Sequence, residues 1–317
     1  MAYNVFGCSA SILVVSVLIC SVARAEETPD IAREAGYLVN TFSSQADFSP
    51  STVDQSLTFI PGMKWYNSNI IKGAQQSPDH NIINADGSIT TSSLRNALGL
   101  VTAANIAKPP GFVGQAFGGG GYFEAELRFD PTTVDLKAVW PAFWSVSLES
   151  SAALPVQRWN GQQPNFNHTV ELDIFEYLYA LPKPRNIYGA AGHEFFGIYD
   201  VTCKPGRCKV DSVNNERVAP ADTDWSQYHK FGMLWIPATE DSRGSVKFYF
   251  DRKQIGSSIQ WTKFRDEDPP VTASSPWKFG ILDRQHLILI LTAGRSSPIT
   301  VRSVNVWQAS ARANLRN

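Results

Sequence analysis

Residues 121–129 read Gly-Tyr-Phe-Glu-Ala-Glu-Leu-Arg-Phe, with Phe, Ala, Leu and Phe on every second position, the pattern of a β-strand with one face in a core. Residues 245–250 (Ser-Val-Lys-Phe-Tyr-Phe) keep the same period and run into the turn residues Asp251-Arg252-Lys253. Residues 287–291 (Leu-Ile-Leu-Ile-Leu) are apolar at every position, as expected of a central strand covered on both sides. Residues 303–307 (Ser-Val-Asn-Val-Trp) read as a closing strand with its valines inward. From about residue 55 onward short runs of this kind are separated by turn residues, with few stretches of helical period, no internal repeat and no Pro/Ser-rich linker. The chain therefore reads as all-β, one sandwich of mostly antiparallel strands, with residues 26–40 and 310–317 expected as loose ends.

The first 25 residues stand apart. Residues 12–22 (Ile-Leu-Val-Val-Ser-Val-Leu-Ile-Cys-Ser-Val) are followed by Ala23-Arg24-Ala25, a small-x-small cleavage sequence, and then by Glu26-Glu27. The apolar run is shorter than the roughly 20 residues that span a bilayer, so it reads as a secretory signal cleaved after Ala25 rather than as an anchor. A secreted product follows, extracellular, periplasmic or in the cell wall, expected as a monomer of one β-sandwich domain over 26–317 with its core at about 45–308. Cys8 and Cys20 leave with the signal. Cys203 and Cys208, in Cys-Lys-Pro-Gly-Arg-Cys, are then expected to close a small disulfide loop over the Pro-Gly turn.

Charge excludes one class of partner. With 28 Lys and Arg against 29 Asp and Glu, and no basic block interleaved with aromatics, the chain lacks the surface that neutralises phosphates, so nucleic acid is not expected. Several chemistries also fall away. The glycines at 118–121 open a strand and lack a following Lys-Ser/Thr, so they form no phosphate loop. His193-Glu194-Phe195-Phe196-Gly197 carries Gly where a zincin helix needs its second His, and no Gly-x-Ser-x-Gly is present.

The informative segment is residues 170–177, Val-Glu-Leu-Asp-Ile-Phe-Glu-Tyr. On a regular strand Glu171 and Asp173 share a face and Glu176 falls on the other. One bulge at Ile174-Phe175 would return Glu176 to the face of its neighbours, giving three acids in a row over an apolar back of Leu172, Ile174 and Phe175. Three acids recur by chance in a chain with 29 of them, so their setting carries the argument. Clustering carboxylates on a rigid apolar strand costs repulsion, which points to catalysis or ion binding rather than stability. Two such carboxyls flanking a glycosidic oxygen can cleave it, and at about 5 to 5.5 Å separation they do so with retention of configuration. Trp140 and Trp144, four apart in Trp-Pro-Ala-Phe-Trp, are candidate platforms for the apolar faces of sugar rings, with core packing an equal alternative for each.

Glu171-Leu172-Asp173-Ile174-Phe175-Glu176 resembles the Glu-x-Asp-x-x-Glu motif of the family 16 glycoside hydrolases, in their laminarinase-like branch. The likeness continues in residues 121–125, in Trp140-Pro141-Ala142-Phe143-Trp144, in residues 228–235 and 246–251, and in 301–308, in the family's order over roughly residues 45–308. The resemblance implies a concanavalin-A-like jelly roll of two curved antiparallel sheets. It also implies Glu171 as nucleophile, Glu176 as acid/base, Asp173 as the residue assisting the nucleophile, and His193 as a cleft histidine binding substrate. A retaining endo-glycosidase acting on β-1,3 or mixed-linkage β-glucan is the activity so implied, with a galactan-cleaving enzyme, a transglycosylase or a non-catalytic glucan-binding protein as alternatives. Arg302 stands where many members carry an Asp at a structural calcium, so no metal or other cofactor is expected.

Overall fold

The computed structural model describes residues 26–56, 58–67, 80–92, 99–106, 111–134, 140–150, 166–178, 186–198, 209–264, 278–294 and 297–317. Cys203, Cys208 and the signal segment lie outside them. Among the described residues a short helix, α1 (Asp30–Glu34), precedes nineteen strands: β1 (Val39–Gln45), β2 (Val53–Asp54), β3 (Trp65–Asn67), β4 (Asn81–Ile83), β5 (Ile89–Thr91), β6 (Leu100–Val101), β7 (Ala103–Asn105), β8 (Phe112–Ala116), β9 (Gly121–Phe129) and β10 (Ala142–Ser147). Then follow β11 (Phe166–Glu176), β12 (Ile187–Ile198), β13 (Lys209–Val218), β14 (His229–Ile236), β15 (Gly244–Phe250), β16 (Lys253–Trp261), β17 (Leu287–Thr292), β18 (Ile299–Gln308) and β19 (Leu315–Arg316).

Two eight-stranded sheets form a jelly-roll sandwich. One runs β16-β15-β14-β9-β18-β5-β4, with β1 also on β18; the other runs β13-β12-β11-β10-β17-β6-β3-β2. Pairing is antiparallel except for β2 with β3. The main core lies between the sheets. Phe123, Ala125, Leu127 and Phe129 of β9 enter it, as do Val304 and Val306 of β18 and Leu287, Leu289 and Leu291 of β17. The intervening Ile288 and Ile290 of β17 face the other way, into a second apolar cluster with Trp144, Val146 and Val113 that lies under the small sheet β19-β8-β7. That two-sided cover is why every position of β17 is apolar. The β15–β16 turn falls at Asp251 and Arg252, with φ of 45° and 62°, the left-handed pair of a two-residue hairpin.

The ends of the chain correct the expectation of looseness. Residues 26–40 and 310–317 are packed and hydrogen-bonded: β1 pairs with β18, and β19 pairs with β8. For residues 26–40 the physical reason is an apolar outer face on the first sheet. Tyr122, Leu234, Tyr249 and Trp307 point away from the main core and need cover, which Ala32 of α1 and Tyr37 supply. Tyr37 also donates its hydroxyl to the Trp235 carbonyl at 2.8 Å. At Gly120 (φ 85°), in the glycine run that opens β9, an added Cβ would lie 2.4 Å from that same Tyr37 oxygen, so the close approach requires glycine.

Candidate active site

Strand β11 carries the acids, and its register contains the expected bulge. Asp173 pairs with Ala191 and Glu176 with Gly189, so that two residues, Ile174 and Phe175, lie between the pairs on β11 against one, Ala190, on β12. On the opposite edge Phe175 pairs with Phe143 but Asp173 pairs with Trp144, so Ile174 is the extra residue there. Leu172, Ile174 and Phe175 all join the main core. Phe175 sits 4.1 Å from Phe231 and 5.4 Å from Phe129, ring centroid to centroid. The bulge thus sends two consecutive apolar side chains inward and leaves Glu171, Asp173 and Glu176 together on the opposite face.

His193 pairs with Glu171 in the β11–β12 register and so shares that face. Its Nε2 is 2.9 Å from Asp173 Oδ2. One ligand atom each of Glu171, Asp173 and His193 lie within 4.8 Å of one another, a set compact enough to hold a cation as well as to share protons. Glu171 and Glu176 are partly exposed while Asp173 is only 2% exposed, so the two outer acids can reach a ligand and the middle one cannot do so easily.

Electrostatics follow from this packing. Burial, and next the Asp173 charge, push Glu171 up to about 8, against a downward pull from His193. Burial, with Glu176 adding through both charge and a hydrogen bond, holds Asp173 well above the ordinary carboxylate range. Glu176 is raised by burial, while hydrogen bonds from Trp140 and Asp173 and the nearness of His193 pull it down. The cluster therefore resists full ionisation.

The two candidate platforms have different fates. Trp144 pairs with Asp173 across β10–β11 but is only 8% exposed; it packs in the second apolar cluster and its Nε1 donates to Thr292 Oγ1 at 3.3 Å. Trp140 lies just before β10, partly buried against the same cluster, and its Nε1 donates to Glu176 Oε1 at 2.8 Å. Among the described residues, Trp65, Trp225, Trp235, Trp261 and Trp307 are all buried, so the high tryptophan content serves mainly the core. Sequence reasoning missed the Trp140–Glu176 bond. It also missed the small floor beside the acids, where Gly189 and Ala191 stand opposite Glu176 and Asp173; the Gly-Ala-Ala-Gly run at 189–192 was its visible trace.

Arg302, noted for standing in place of an Asp, donates to Glu126 Oε1 at 3.1 Å, and its guanidinium lies 3.7 Å above the Tyr228 ring. The Arg302 charge is thus met by an acid on the neighbouring strand β9. Two acidic tips, a buried acid and a histidine on one strand pair can transfer protons and attack an electrophilic carbon.

No family profile and no curated protein matches this chain. Among solved structures it is similar to an endo-1,3-β-glucanase from Streptomyces sioyaensis, at 16% identity over 88% of this chain and 97% of that one, with a TM-score of 0.46. It is also similar to the κ-carrageenase from Pseudoalteromonas carrageenovora, at 14% identity over 80% of this chain and 99% of that one, with a TM-score of 0.41. No helix among the described residues is long and apolar enough to cross a membrane.

Proposed function

We propose that this protein is a retaining glycoside hydrolase of the family 16 kind, acting on a β-linked glucan, with 1,3 or mixed 1,3/1,4 linkages the substrate to test first. The observation that carries the reading is the bulge in β11, which gathers Glu171, Asp173 and Glu176 on one face in the order of the Glu-x-Asp-x-x-Glu motif. In the first step Glu171, which must first shed the proton that its burial favours, with the nearby His193 pulling towards the charged form, attacks the anomeric carbon as a carboxylate while Glu176 gives its proton to the departing glycosidic oxygen. A covalent glycosyl-enzyme results, and Glu176 is left ionised. In the second step Glu176 takes a proton from water, whose oxygen displaces Glu171 from the same carbon and restores the starting configuration.

Asp173, whose burial disfavours its charged form, is in hydrogen-bond contact with Glu176 and holds the acid/base in place. His193 sets the other side of Asp173 and lines the approach to Glu171. Cleavage within the polymer rather than at its ends is part of the same proposal, as is a secreted, monomeric enzyme with a polysaccharide partner. Replacing water by a sugar hydroxyl in the second step would make a transglycosylase with the same residues. Product analysis on laminarin, lichenan, agarose and xyloglucan tests the reading. Release of oligosaccharides from laminarin or lichenan is expected; products from agarose alone would move the substrate to galactan, and inertness on all four would overturn the enzyme assignment.

A further inference from the structure

Trp140 was a candidate sugar platform, yet its polar edge is already committed. The indole Nε1 donates to Glu176 Oε1 at 2.8 Å, part-buried, and the ring packs against the apolar cluster beneath the small sheet. The backbone fixes this arrangement from both sides. The Tyr177 amide, next to Glu176, donates to the Pro141 carbonyl, next to Trp140, at 2.9 Å, and Ala142 pairs directly with Glu176. Two residues 36 positions apart are thereby held by three consecutive ties at the start of β10 and the end of β11.

We propose that Trp140 is a positioning residue for Glu176, its indole N–H occupying one carboxyl oxygen so that the other carries the proton delivered to the leaving group. The inference rests on the glycosidase reading and deepens it. A carboxylic acid holds its proton on one oxygen, and an N–H donor can bond only to an oxygen with a lone pair facing it. The indole therefore favours Oε1 as the acceptor and Oε2 as the oxygen that carries the proton, with Asp173 a second hydrogen-bond partner of the same carboxyl. The same bond favours the ionised form, which Glu176 must adopt to act as base in the second step. Stacking of a sugar on Trp140, by contrast, needs only a flat face and is indifferent to the N–H.

The experiment compares Trp140→Phe, which keeps the ring and removes the N–H, with Trp140→Ala. A positioning role predicts that Trp140→Phe lowers kcat on laminarin about tenfold or more with KM changed less than about twofold, and moves the basic limb of the pH profile upward. Formation of the glycosyl-enzyme from a dinitrophenyl β-glucoside, whose leaving group needs no proton, should stay close to wild type. A platform role predicts the reverse: Trp140→Phe behaves as wild type, and Trp140→Ala raises KM at unchanged kcat, which would overturn the proposal. A second measurement needs no substrate. In protein carrying carboxyl-13C glutamate, with the Glu176 signal assigned by its loss in Glu176→Gln, the titration midpoint should rise in Trp140→Phe; an unmoved midpoint would refute the inference even if the protein proves a good glycosidase. If instead no glycan is cleaved and the midpoint still rises, the glycosidase reading fails while the Trp140–Glu176 coupling stands.

Discussion

His193 stands opposite Glu171 in the strand register, but its imidazole turns to Asp173, with Nε2 2.9 Å from Oδ2. The middle acid is thus held between a histidine on one side and Glu176 on the other.

Glu171→Gln and Glu176→Gln should each leave the fold intact and lower kcat by about 10² or more, because nucleophilic attack and proton transfer are separate necessary steps. Steady-state rates with circular dichroism as the folding control decide it. Turnover within a few-fold of wild type in either variant would remove that residue from its role.

Stability should depend on pH through the same residue. Glu171 is raised from its ordinary value of 4.5 to about 8 in the fold. Between those values the native state binds more protons than the unfolded one, so stability falls as pH rises. Glu171→Gln removes that penalty. Its melting temperature should match wild type at pH 4 and exceed it increasingly towards pH 8, read by differential scanning calorimetry; a gap that shrinks with rising pH would contradict the burial argument.

With both outer carboxyls on one face of a bulged strand, the released sugar should first appear with the configuration of the bond that was cut, seen by early-time NMR. Initial appearance of the inverted anomer would falsify the two-step mechanism. Straightening the strand is no clean control. Deleting Phe175 leaves an alternating Glu-x-Asp-x-Glu that looks tolerable in sequence, but that ring is fully buried against Phe231, Phe129 and Tyr188, and its loss should cost about 3 to 5 kcal/mol. Denaturant titration should show the deletion variant strongly destabilised.

Glu26, the first residue after the expected cleavage point, accepts from Arg252 at 2.5 Å, from Asn305 at 2.8 Å and from Lys230. Arg252 also pairs with Glu124, so the N-terminal segment completes a charge network on the outer face of the first sheet. Glu26→Ala should lower stability by about 1 kcal/mol, a value kept small because the Arg252 side chain is 34% exposed. An unchanged urea midpoint would show the network to be dispensable.

Cys203 and Cys208 should be joined in secreted material. Mass analysis after alkylation without reductant should find neither thiol modified. Two alkylated cysteines would leave that loop unstapled.

Local order along the chain was enough to determine the strands at 121–129, 245–250, 287–291 and 303–307, the turn at Asp251-Arg252 and the bulge. Side-chain direction alternates with a fixed period, so a break in the acid spacing at Glu176 has to be absorbed where it occurs. The inward valines of β18 and the doubly covered β17 were legible for the same reason. Tertiary structure alone decided what meets across distance. No periodicity indicates that residues 26–40 cover Tyr122 and Trp307, that Trp144 is buried beneath a small third sheet, or that the Trp140 indole ends on Glu176. Those contacts depend on which strands become neighbours and how far their faces are covered, and a polar or aromatic side chain has the same letter in the sequence whether it lines a cleft, fills a core or holds a catalytic acid in place.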